Sequence, residues 1–332
     1  MFNKVTGIRS LVIISFTVLL ALFCLILTSD HFNIPLPEGV FNFENQRSDS
    51  NHIQKVSSPV VTILFGGDLM FDRWIRTVSR KKGGDFILSP MEEVLKRADV
   101  VVANLEGSIT DEPSVSEMSV PGSPENYLFT FPPDTAELLA RKNITLVNIG
   151  NNHILNFKIE GVKETTDRLL KAGVQSFGSP LKGATRYSIR DIHGVKIAFV
   201  NYNQFISDGR EKVFDDVKSV ESIAQLVIVY AHWGDEYTEA SITTKLLAHE
   251  LIDAGADLII GSHPHIVQES ERYKEKMIYY SLGNFVFDQY FQPETEKGLL
   301  VKASFDSNTN AIVTEEVPIV LNRNGQTTTF VR

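Results

Sequence analysis

Five short runs of apolar, β-branched-rich residues recur along this chain, at 60–65, 100–103, 146–149, 226–230 and 258–260. Each is too short for a buried helix and too continuously apolar for a surface strand, so each reads as a strand covered on both faces. Between them lie stretches with apolar residues three or four apart. These predict helices over 91–97, opened by Ser89-Pro90, and over 133–141, 159–171 and 242–254, with glycine stops at Gly173 and Gly255. Strands alternating with helices predict a layered α/β fold. The C-terminal third changes character. Residues 277–288, 298–305 and 311–321 are strand-like with short polar turns, and 187–192 with 196–201 form a hairpin around His193-Gly194. A second, more antiparallel sheet packed on the first is therefore expected. Residues 107–126 are rich in Ser, Pro and Glu and lack any period, which predicts a long functional loop.

The N-terminus is of another kind. Ser10 to Ser29 contains no charged residue, with Lys4 and Arg9 before it and Asp30 after it. About 20 apolar residues at 1.5 Å each cross a hydrocarbon core of roughly 30 Å. The positive-inside rule puts residues 1–9 in the cytoplasm and the remainder outside. Leu27-Thr28-Ser29 is a poor signal-peptidase site, and Phe23 before Cys24 does not suit a lipoprotein, so the run is read as an uncleaved single-pass anchor. The expected organisation is anchor 1–29, linker 30–58 and folded domain 59–325.

Every strand run leads into a polar residue. Asp68 follows the first, Glu106 the second, Asn152 and His153 the third, His232 the fourth, and His263 and His265 the fifth. Sites in open α/β sheets gather at the carboxyl ends of strands. Taken singly, each of these residues has an ordinary explanation as a cap, a turn residue or a half-buried histidine. Jointly, carboxylate, amide oxygen and imidazole delivered to one edge suit one or two divalent metal ions such as Mn, Fe or Zn. Four of the eight histidines fall in these motifs. Asp72 and Arg73 follow closely and suggest a further ligand and an anion contact, or else an exposed helix start. The net charge of −9 excludes a nucleic-acid surface, and it requires any binding site for an anion to be local and positive.

Gly-Asp-Leu-Met at 67–70, Asn-Leu-Glu at 104–106, Gly-Asn-Asn-His at 150–153, His-Trp-Gly at 232–234 and Gly-Ser-His-Pro-His at 261–265 occur in this order. With Tyr-Ser-Leu-Gly-Asn-Phe at 280–285, the set resembles the CapA family of poly-γ-glutamate capsule proteins, which is related to calcineurin-like metallophosphoesterases. The resemblance implies an α/β/β/α sandwich of metallophosphoesterase type. It also implies a first metal on Asp68 and His265, a second on Asn152, His232 and His263, a bridging Glu106, and His153 as the acid that protonates a leaving oxygen. Two departures bear on this. Met70 stands where the related enzymes carry a histidine ligand, and Glu106 replaces an aspartate.

Two functions follow as expectations. One is a membrane-anchored, extracellular component of poly-γ-glutamate synthesis or export, working with membrane proteins of that system and meeting an anionic polymer or phosphoester. The alternative is a metal-dependent phosphoesterase or hydrolase acting on another cell-envelope substrate. The sequence leaves catalyst and scaffold both open.

Overall fold

The computed structural model describes residues 60–330. The expected anchor and linker lie outside the described residues, and among the described ones no helix is long and apolar enough to cross a membrane.

Two mixed sheets form the body of the protein. In the first, the strand order is Thr327–Thr329, Ala311–Leu321, Lys297–Asp306, Val60–Leu69, Val100–Leu105, Ile144–Asn148 and Gln175–Phe177, with Asn284–Val286 added beside Val60–Leu69. In the second, it is Ser270–Tyr273, Lys276–Tyr279, Leu258–Ser262, Leu226–His232, Val195–Asn203 and Tyr187–Ile192. The alternation along each strand sets the layers. Val61, Ile63 and Phe65 join Phe199, Ile228 and Tyr230 in a core between the sheets. Leu64 and Leu69 turn the other way, onto Ile75, Leu139 and Leu169 of the helices outside the first sheet. Val227, Val229 and Ala231 pack on Val213, Val217 and Leu251 outside the second. Each such buried aliphatic side chain stabilises the fold by about 1.5–3 kcal/mol.

Helices Lys158–Lys171 and Ile242–Asp253 lie where the periodicity predicts them. Ser241 caps the second, its Oγ accepting from the Thr244 amide at 3.1 Å. Two of the longer helices escape the pattern. Arg73–Lys82 buries only Ile75 and Val78, so it carries almost no apolar stripe. Gly209–Glu221 opens on a glycine that reads as a breaker but is a packing requirement, since a Cβ there would stand 2.2 Å from the Asn203 carbonyl oxygen.

The expected division of the sheets needs correction. The long C-terminal strands do not build a second antiparallel sheet. They extend the first, with Lys297–Asp306 antiparallel to Val60–Leu69 from Val60↔Asp306 to Phe65↔Val301, and this covers an edge that would otherwise be bare. The centre of the second sheet is parallel, and only its two outer strands run antiparallel. The strand-like stretch 277–288 divides between the sheets as Lys276–Tyr279 and Asn284–Val286. The last strand, Thr327–Thr329, falls just past the expected domain end at 325.

Where the sheets meet at their carboxyl edges, backbone approaches backbone. A Cβ on Gly67 would lie 1.8 Å from the Gly283 carbonyl oxygen, and that same oxygen accepts from the Asp68 amide at 3.1 Å. Only glycine permits this contact, and it fixes where Asp68 begins.

Candidate metal centre

Asp68, Glu106, Asn152, His232, His263 and His265 converge at this edge. Potential ligand atoms of Glu106, His263 and His265 lie within 4.8 Å of one another, and so do those of Asp68, Glu106 and His232, with Glu106 common to both groups. Asn152 Oδ1 is 2.8 Å from His232 Nε2. His265 Nδ1 also lies 3.4 Å from Asp68 Oδ2, and the His232 and His263 ring centres are 4.8 Å apart. The His263-Pro264-His265 turn holds its imidazoles on strained backbone, with φ +98° at His263 and +58° at His265. Such conformations for residues other than glycine persist where the surroundings enforce them and cluster at functional sites.

The hydrogen bonds around the centre fix which atoms carry protons. The Asn284 side-chain nitrogen faces the backbone carbonyls of Thr295 at 3.1 Å and His265 at 3.4 Å, which can only accept. Its Oδ1 therefore faces His265 and takes the Nδ1–H at 3.0 Å. His153 Nδ1 lies 3.1 Å from the Tyr127 carbonyl oxygen and so also carries the hydrogen. Both rings, when neutral, turn an Nε2 lone pair toward Glu106 Oε1, at 3.6 Å from His265 and 3.7 Å from His153. That oxygen has no hydrogen-bond partner, and neither has the buried Nδ1 of His263. A buried acceptor left unpaired costs roughly 1–3 kcal/mol, more when charged. A pocket this rich in acceptors suits a cation, and the donor set of carboxylates, imidazoles and one amide fits a divalent metal.

Without a cation, the electrostatics of the site favour a proton kept on Glu106. Burial, reinforced by the Asp68 charge, holds the Glu106 carboxyl well above its ordinary range. Burial also acts to raise Asp68, but the hydrogen bond and charge of His265, with His232 and Asn104, outweigh it and hold that carboxyl below its ordinary range. Burial pushes His232 well below its usual value, His153 to about 4 and His263 to about 3. Their imidazoles are therefore neutral near pH 7, with lone pairs available for coordination.

Three neighbours complete the surroundings, with Asp72 as the N-terminal cap of helix Arg73–Lys82. Met70 is wholly buried in the core under the helices, and its sulfur accepts from the Asp72 amide at 3.0 Å, so it turns away from the centre. Asp72 is neither exposed nor a ligand. Its carboxylate accepts from the Arg73 and Thr130 amides, Arg76 Nε and the hydroxyls of Ser114 and Ser116, at 2.6–3.0 Å. Arg73 sits between the Phe129 and Phe287 rings, 5.2 and 5.4 Å from their centroids, and is paired with Asp288. It lines a cleft of about 350 Å³ with Tyr127, Tyr237, Gln289 and Phe291.

Several supporting residues escaped the sequence reading. Asn201 donates to Asn148 at 2.8 Å, Asn148 to Asn104 at 2.9 Å, and Asn104 to Asp68 at 2.8 Å. Phe205 packs edge-on against His263, with 4.5 Å between ring centres. Asn104 and Asn284 stood inside motifs already singled out, so their position at strand ends was the available signal. Asn201 and Phe205 carried none.

Comparison with known proteins agrees with the motif order. Residues 62–289 match the family described as bacterial capsule synthesis protein PGA_cap. The chain is 28% identical over 261 residues to the PGA biosynthesis protein CapA of Bacillus subtilis (strain 168), covering 73% of this chain and 67% of that one. It is 27% identical over 280 residues to the capsule biosynthesis protein CapA of Bacillus anthracis, covering 78% and 67%. A hypothetical protein from Thermus thermophilus, known from its crystal structure, is similar at a TM-score of 0.48 and 16% identity, covering 78% of this chain and 99% of that chain.

Proposed function

The chain belongs to the CapA family of bacterial capsule synthesis proteins, and from that premise we propose that it is an accessory protein of poly-γ-glutamate capsule synthesis or export that works through a divalent-metal centre of metallophosphoesterase type. In this reading the uncharged run from Ser10 to Ser29 anchors it in the cytoplasmic membrane, with residues 60–330 outside the cell beside the membrane proteins of the capsule system. The observation that carries the metal centre is Glu106 Oε1, a buried carboxyl oxygen without a hydrogen-bond partner that lies 3.6 Å from His265 Nε2 and 3.7 Å from His153 Nε2. The layering of helices outside two packed sheets, with the site at their carboxyl edges, is the arrangement that metallophosphoesterase chemistry uses.

Asp68, Glu106, Asn152, His232, His263 and His265 would hold the metal. When bound, such an ion withdraws charge from an ester or amide oxygen and makes water a better nucleophile. The side chains prepare the site for it. Asn104 keeps Asp68 oriented, and Asn284 fixes the His265 ring with its Nε2 inward. His153, held by Tyr127 and Asn156, presents Nε2 at the rim, where a proton can be received from or returned to a substrate oxygen. Phe129 lies 4.5 Å from the His153 ring centre and keeps water from its face.

Metal analysis of the purified full-length protein, with polymer output of cells carrying His263→Ala, tests the proposal. Stoichiometric divalent metal in the wild type, and its loss together with capsule in the variant, is the expected result. A folded His263→Ala protein that supports full capsule output would leave a metal-independent scaffold as the function.

A further inference from the structure

The metal centre gathers acceptors, and a cavity beside it gathers donors. That cavity has a volume of about 380 Å³, and Ser179, Lys182, Arg186, Asn203, Ile206 and Lys212 stand in its wall. Two contacts join it to the centre. Asn203 is the backbone partner of His232 where Val195–Asn203 runs beside Leu226–His232. Gly178, also in the wall, packs so closely on the turn carrying Asn152 that a Cβ there would lie 2.7 Å from the Gly150 amide nitrogen.

Three groups of this wall have a hydrogen to give and no acceptor for it among the described residues. The Asn203 amide is oriented by its oxygen, which accepts from the Phe205 amide at 2.9 Å, so its nitrogen end is left over although the residue is only 4% exposed. Ser179, also buried, accepts from the Leu181 amide at 3.3 Å, and its own hydrogen has no protein acceptor. The exposed Lys182 has no ion-pair or hydrogen-bond partner among the described residues. Arg186 and Lys212 are already answered, the first by Asp216 through two bonds of 2.8 Å and the second by Asp208 at 2.7 Å. Buried donors left without acceptors cost free energy unless something fills the space between them. The lining also differs in charge from its neighbours. The cleft at Arg73 includes Glu117 and Asp288, and a third cavity, of about 930 Å³, includes Glu269, Glu296 and Glu316. This one has three cationic side chains and no carboxylate in its wall, in a chain of net charge −9 that repels anions elsewhere.

We propose that this cavity is a binding subsite for an oxyanion, held by the Asn203 amide nitrogen, the Ser179 hydroxyl and the Lys182 ammonium group. An oxyanion offers acceptors only and carries the charge that the wall lacks, so it completes all three donors at once. A carboxylate of an acidic polymer and a phosphoryl group share that chemistry. The inference deepens the proposed function, and it rests on that reading only for the view that cavity and metal centre serve one ligand. The subsite itself stands on the donors in the wall.

The test is calorimetric titration of the full-length protein with a γ-linked glutamate hexamer and, separately, with inorganic phosphate, first with manganese and then with excess chelator. Asn203→Asp keeps the oxygen that accepts from Phe205 and replaces the donor with a negative charge. Lys182→Glu reverses a charge on an exposed side chain that has no contacts to lose, so it should leave the urea midpoint and manganese content as in wild type. Each variant should bind at least one probe about tenfold or more weakly, with or without metal, because hydrogen bonds to charged groups contribute roughly that much. The probe that loses affinity identifies the source of the oxyanion. Should Asn203→Asp fail to fold, Lys182→Glu decides alone. Binding of both probes by Lys182→Glu within about twofold of wild type overturns the proposal. So does a wild type that binds neither probe. Binding that chelator abolishes and Lys182→Glu leaves unchanged assigns the anion to the metal and overturns the subsite. A wild type that takes up no manganese yet binds a probe through Lys182 defeats the metal reading and leaves the subsite standing.

Discussion

Asp68 and Asp72 are four residues apart, both fully buried, and they sit in opposite surroundings. Around Asp72 every lone pair is matched. Five donors from the helix start, the loop and Thr130 close on one carboxylate, and they draw the polar segment after Gly107 onto helix Arg73–Lys82. Around Asp68 and Glu106 donors are scarce. Asn104 serves both, at 2.8 and 3.4 Å, the His263 amide and the His265 ring nitrogen serve Asp68, at 3.1 and 3.4 Å, and Glu106 Oε1 has no hydrogen-bond partner. A saturated buried carboxylate is structural, because its charge is already answered. An unsaturated one beside neutral imidazoles is held ready for a charge from outside. Burial alone does not tell the two apart; the donor inventory does.

The contrast breaks first at Glu106. Glu106→Gln should all but abolish metal binding, a larger loss than the ~10–100-fold that follows removal of a supporting residue. In the same variant the metal-free protein should resist urea at least as well as wild type, since a buried like-charge pair has gone. Urea midpoints with and without chelator measure both, and an unchanged metal content would end the distinction. Asp72→Ala should do the reverse and destabilise the fold by about 3–5 kcal/mol, because Arg76 and four other donors lose their common acceptor. Limited proteolysis within 111–128 should then speed up. An Asp72→Ala protein that kept its stability but lost metal would reverse the two roles.

Acid sharpens the comparison. His153 and His263 have folded pKa values depressed to about 4 and about 3, so the unfolded chain takes up protons first. Stability of the metal-free protein should fall by a few kcal/mol as pH drops from about 6.5 toward these values. Glu106 gives the opposite slope. Its raised pKa adds stability at low pH that is lost as pH climbs through the folded value, and Glu106→Gln should remove that alkaline limb. Denaturation midpoints across pH, repeated with saturating manganese, should show metal flattening both limbs near neutrality. The smallest effect is expected at Asn284→Ala, which frees the His265 ring without removing a ligand and should weaken metal binding by about 10–100-fold. Equal affinity in that variant would mean that the turn alone orients the ring.

The sequence revealed most about the strands, because a strand covered on both faces must be continuously apolar and the ligands lie just past such runs. It revealed less about helix Arg73–Lys82, where two buried residues are too few to make a period. Sheet membership was hidden as well. Residues 277–288 read as one strand, but Gly283, at φ +66°, breaks the run and sends Asn284 across to the first sheet. The ligands were legible as residue types at strand ends. Their partners were not, since an asparagine such as Asn201 announces neither its burial nor its neighbours. Met70 marked a departure from the related enzymes, while its true role, a sulfur accepting a backbone hydrogen from inside the core, depends on tertiary packing.

The pairing of Val60–Leu69 with Lys297–Asp306 also sets a timetable. Partners such as Val60 and Asp306 are 246 residues apart, so during synthesis the first strand of the domain waits for nearly its last. At about 5–20 residues per second that wait is roughly 10–50 s. Through it one edge of an apolar strand has no partner, and Gly67 has no Gly283 to meet. The centre therefore closes late, after the second sheet has already been made, and a nascent chain of this design needs its exposed edge shielded for most of its birth.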